Sequence, residues 1–110
     1  MNMHYAFALL VLGLATSCGD KVDPVKDSCG TTGSIGYDQN IGPLTRDNCT
    51  VCHSAQGTGQ IPLLETYQQV VDNATKAAAR VSAGTMPPTG ALSAANKCLF
   101  SAWVTQGMSK

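Results

Sequence analysis

Apolar residues crowd one short run near the start of the chain and afterwards recur at helical spacing; no stretch alternates convincingly with a period of two. The first run, residues 6–15, falls short of the ~20 apolar residues that a bilayer-spanning helix needs, and suits the apolar region of an export signal. Residues 20–27 mix acids, lysines and Pro24, with only Val22 and Val25 apolar, which predicts a solvated tether. Gly30, Gly33 and Gly36 prolong it, so the folded part is expected to begin near Ile35. Pro43 suits the first turn of a helix, where its missing N–H costs nothing. A short helix is predicted over 44–53, stopped by Gly57 and Gly59. Thr66 and Gln69 have the spacing of a capping box, and Tyr67, Val70, Val71, Ala74, Ala78 and Val81 then form one apolar face. Asp72-Asn73 is a candidate break within it. Gly84 and Pro87-Pro88 end helical structure. Ser93 caps a last helix, with Leu92, Ala95, Leu99, Ala102 and Trp103 as its core face and Gly107 closing it. The expected fold class is all-α.

The chain has 110 residues, room for one domain with a modest core. Seven Lys and Arg balance seven Asp and Glu, which argues against nucleic acid or an anionic membrane surface as partner. Small residues Ala15-Thr16-Ser17 precede Cys18, a pattern similar to a bacterial lipoprotein signal in which Cys18 becomes the lipidated first residue. Ala15 and Ser17 suit an ordinary signal peptidase equally well, at the same bond. The first residues, Met1 to Tyr5, contain His4 but no Lys or Arg, a departure from the usual basic start. The expected division is 1–17 signal peptide, 18–34 lipid-anchored tether, 35–110 folded domain. The expected location is the periplasmic side of a bacterial membrane, with a soluble periplasmic protein as the alternative.

The chemistry centres on Cys49-Thr50-Val51-Cys52-His53, a C-x-x-C-H motif. On a helix, positions i, i+3 and i+4 share a face, so two thiols can each add to one vinyl group of a haem while the imidazole is carried under the iron. With the signal removed, His53 is the only histidine. A zinc site would need two more ligands from Cys29, Cys98 or His53, and a second C-x-x-C is absent. A thioredoxin-like dithiol would need strands that the helical pattern lacks. The second axial ligand is expected from Met86-Pro87-Pro88. Methionine is a soft donor that suits haem iron and raises its reduction potential, and Pro87 pushes Met86 out of the helical region. The competing role for Met86 is core filling in a loop. Met108, at the frayed end, is the poorer candidate.

With these motifs the chain resembles the class I cytochrome c family in its short bacterial form, over about residues 35–108. Tyr37, the Ile41-Gly42-Pro43-Leu44 lead-in and the closing segment 99–107 belong to that likeness. The resemblance implies a cytochrome c-like domain of a few helices wrapped on a covalent haem c, its first and last helices packed together. It also implies that Pro62, which follows Ile61 where the family usually has glycine, offers its carbonyl to the His53 imidazole N–H. Cys29 and Cys98 remain after the other cysteines are assigned. An oxidising compartment favours their pairing, and the family fold puts their elements side by side. The alternative is two unpaired cysteines, with Cys98 buried.

The leading functional expectation is a single-electron carrier with His53 and Met86 on the iron, serving an unidentified redox partner protein. Two filled axial positions leave no place for a substrate, so an enzyme is not expected. The alternatives are a haem enzyme or sensor in which Met86 is displaced by a peroxide or gas, and a structural zinc module.

Overall fold

A computed structural model describes residues 29, 30 and 33–110. The segments read above as export signal and as Cys18 anchor, and most of the expected tether, lie outside the described residues. Within them the protein is helical and has no strand. A π-helical turn, Tyr37–Ile41, runs directly into α1 (Gly42–Asn48), followed by α2 (Tyr67–Ser82) and α3 (Ala94–Thr105).

Pro43 occupies the first turn of α1 as expected, but the helix stops at Asn48 rather than at His53. The reason lies in the backbone bonds. The amides of Cys49 and Thr50 share the Thr45 carbonyl, at 2.8 and 3.1 Å, which halts the regular ladder. Cys52 and His53 then both donate to the Cys49 carbonyl and make a separate turn, at 3.1 and 2.8 Å.

The capping box starts α2 as read from the sequence. Gln69 N–H donates to Thr66 Oγ1 at 3.2 Å, and Thr66 N–H donates to Gln69 Oε1 at 3.1 Å. The helix runs unbroken through Asp72-Asn73, because both side chains are bonded within it. Asp72 accepts from Gln68 at 2.7 Å, and Asn73 donates to the Gln69 carbonyl at 2.9 Å. Val70, Ala74 and Val81 are its buried residues. Gly84, at φ +75°, turns the chain out of the helix in the left-handed conformation that glycine tolerates best.

Ser93 caps α3 through the Asn96 amide at 3.2 Å. The inner face differs from the expected one. Phe100 and Trp103 are the buried residues of the helix, Ala95 is exposed, and Leu92 is buried but precedes the first turn. α3 packs on α2 and on the π-helical turn, where Trp103 is wholly enclosed, 5.8 Å from the Phe100 ring and 6.1 Å from Tyr37.

The last residues close this corner. Trp103 Nε1–H donates to the Ser109 carbonyl at 2.8 Å, Tyr37 N–H reaches the same oxygen at 2.9 Å, and Ser109 Oγ donates to the Ile35 carbonyl at 2.9 Å. Tyr67 OH donates to the Met108 carbonyl at 2.7 Å, so Met108 packs on the core instead of fraying. Gly36 is needed here, since a Cβ would approach the Lys110 carbonyl oxygen to 2.8 Å. Cys29 and Cys98 are disulfide-bonded with Cα atoms 5.4 Å apart, tying the segment before the first turn to α3.

Trp103 therefore carries both burial and a hydrogen bond. Trp103→Ala is expected to cost about 3–5 kcal/mol of stability, as for large aromatic truncations in cores. Denaturant unfolding with an unchanged slope checks this; a loss below 1 kcal/mol would show that the corner collapses around the gap.

Candidate cofactor site

The motif turn is stapled by its own following loop. Ser54 is buried; its hydroxyl donates to the Thr50 carbonyl at 2.6 Å and accepts from Gly57 N–H at 2.9 Å. A Cβ on Gly57 would run into the carbonyl oxygens of Val51 and Thr50, so only glycine lets the loop fold back so closely. Gln60 N–H donates to the Cys52 carbonyl at 2.9 Å and Leu64 N–H to the His53 carbonyl at 2.7 Å. The loop thus returns across the motif and brings Pro62 beside the imidazole.

His53 Nδ1 lies 2.8 Å from the Pro62 carbonyl oxygen and 3.2 Å from that of Gln60. Both neighbours are acceptors, so Nδ1 carries the hydrogen and donates it. In the neutral ring this leaves the lone pair on Nε2, free to bind a metal. A histidine ligand is commonly oriented by such a bond on its other nitrogen. Cys49 and Cys52 are free thiols, both half-buried, and burial pushes the Cys49 thiol up from its ordinary value.

These side chains line a cleft of about 720 Å³, within the size range of small-molecule and cofactor sites. Its other walls come from α2, from Phe100 of α3 and from the loop Met86-Pro87-Pro88. The end of α2 positions that loop. The Arg80 carbonyl accepts the amides of Thr85 at 3.0 Å and Met86 at 3.3 Å, while the Thr85 hydroxyl donates to it at 3.2 Å. Cys49, Cys52, His53 and Met86, chosen in the sequence as haem residues, therefore line one cleft, with Pro62 behind the imidazole. Val51 and Ile61, 66% and 80% exposed, also belong to the lining.

The donor set fits a haem: one imidazole nitrogen with a fixed tautomer, one thioether, two free thiols and apolar walls. It does not fit a closed zinc site. Among the described residues no three His, Cys, Asp or Glu come together to hold a metal ion, and Cys29 and Cys98 are consumed in the disulfide. Sequence reading did not single out Ser54 or Gly57 as organisers of the motif, although a serine three residues before a glycine is a turn signal. It also passed over Lys76 and Arg80, which line the α2 wall of the cleft.

Compared with known proteins, the chain matches no family model, no curated sequence and no solved structure.

Proposed function

We propose that this protein carries one electron at a time on a haem c, held by thioethers to Cys49 and Cys52 with His53 and Met86 as axial ligands. The observation that carries the reading is the 2.8 Å contact of His53 Nδ1 with the Pro62 carbonyl, in a cleft that also contains both thiols and Met86. A haem bound there supplies a one-electron couple between ferric and ferrous iron.

The chain's own residues have separable tasks. Cys49 and Cys52 anchor the group so that it does not depend on affinity alone. His53 gives Nε2 while the Pro62 carbonyl holds its ring and increases its basicity. Met86 offers a soft sulfur that favours the reduced state. Val70, Val81 and Phe100 are buried and give the cleft an apolar wall against which the haem would pack. With His53 and Met86 both holding the iron, the chain would leave no position for a substrate, and the partner of this activity would be a second redox protein rather than a small molecule.

Absorbance of the purified, full-length protein tests the reading. A low-spin spectrum with a sulfur-to-iron charge-transfer band is expected, and the haem should remain with the chain on a denaturing gel. A protein isolated from a host competent for haem attachment, yet free of haem, would defeat it. Met86→Ala is expected to turn the iron high-spin and lower the reduction potential on the order of 0.1 V, against the ~0.8 V range that axial ligands span. An unchanged spectrum and potential would remove Met86 from the ligand set.

A further inference from the structure

The α2 wall of the cleft is cationic as well as apolar. Lys76 and Arg80 both line it, one turn apart, and Asn73 lies on the same stripe one turn earlier. Two like charges at i and i+4 repel, and a bound anion would turn that repulsion into attraction. Asp72 stands one turn before Lys76 but already accepts from Gln68 at 2.7 Å.

The motif wall is of another kind. It presents the two thiols and His53, with Asp47 and Asn48 of α1 beside them. A haem has its vinyl groups on one edge and two carboxylates on the opposite edge. If Cys49 and Cys52 take the vinyl edge, the carboxylate edge must be met by another wall. The strap contributes Met86, two prolines and Thr89, and α3 contributes Phe100, none of them charged. Only α2 offers cations.

Resting on the haem reading above, we propose that Lys76 and Arg80 bind the carboxylates of the cofactor, fixing its outer edge and its charge. Arg80 is suited to a bidentate contact and Lys76 to a point-charge contact. Cations in contact hold carboxylates ionised at lower pH than usual. The reduction potential should therefore change little through the ordinary carboxylate range, because no proton is exchanged there on reduction.

The test is the reduction potential of the haem-loaded protein between about pH 4 and 7, in wild type and in K76Q/R80Q. In the double variant the released carboxylates titrate nearer their ordinary range, around 4–5. Its potential should fall as pH rises through that range, since an ionised carboxylate stabilises ferric iron. The wild type should stay nearly flat there, and the charge-preserving K76R/R80K should restore flatness. Asp47 is the one carboxylate of the described chain on the lining, so the comparison is repeated with D47N in both proteins. Should K76Q/R80Q not accumulate, the single variant R80Q is expected to give the same slope at smaller amplitude.

Curves that are merely offset by a constant would mean cations acting at a distance, and would overturn the proposal. Coincident curves would overturn it as well. In both cases haem persisting on the denaturing gel, with the low-spin spectrum of the native protein unchanged, leaves the carrier reading standing while this inference falls. A wild type without haem removes both.

Discussion

Replacing Cys49 and Cys52 together by alanine is expected to leave no haem on the chain after denaturation. Each thiol is free, and both line the cleft beside His53. Each can form one thioether, so either single variant should retain one covalent bond and a weaker haem stain, and the double variant none. The axial pair would then be the sole attachment, and affinity would fall to that of a dissociable cofactor. Loss of the group also leaves a cleft of about 720 Å³ open to water between apolar walls, so the double variant should be the least stable of the set. Haem stain that still migrates with the denatured double variant would contradict the assignment of both cysteines.

Breaking the Cys29–Cys98 bridge is expected to cost about as much stability as truncating Trp103. The bonded residues are 69 apart in sequence, for which the chain-entropy model gives about 4 kcal/mol. For a domain of this size that corresponds to a fall in melting temperature on the order of 15 °C or more. C29A/C98A should show it, and so should mild reduction of the wild type, because the thioethers proposed at Cys49 and Cys52 are not reducible. The low-spin spectrum expected of the haem should persist below the new melting point, since neither Cys29 nor Cys98 lines the cleft. Reduction without any change in melting would contradict a stabilising role for the bridge.

The amino-acid order alone determined what depends on neighbours within a few residues. The Thr66–Gln69 capping box, the Ser93 cap, the exit at Gly84 and the C-x-x-C-H spacing were legible because each is satisfied by bonds spanning three to five positions. The helical class followed from the same local periodicity.

Tertiary structure decided the rest. The motif sits in its own turn rather than in α1, because Ser54 and Gly57 fold the following loop onto it. α2 survives Asp72-Asn73 because both side chains find partners on the helix itself. Phe100 is buried on α3 while Ala95 is exposed, because Phe100 packs edge-on against the enclosed Trp103 ring. Met108 is held by a residue 41 positions away, a partner no local pattern names. The gathering of Met86, His53, Lys76 and Arg80 around one cleft likewise depends on how α2 and its strap pack against the motif turn. Short-range bonds are written in spacing; which distant faces meet is settled only when burial forces the helices together.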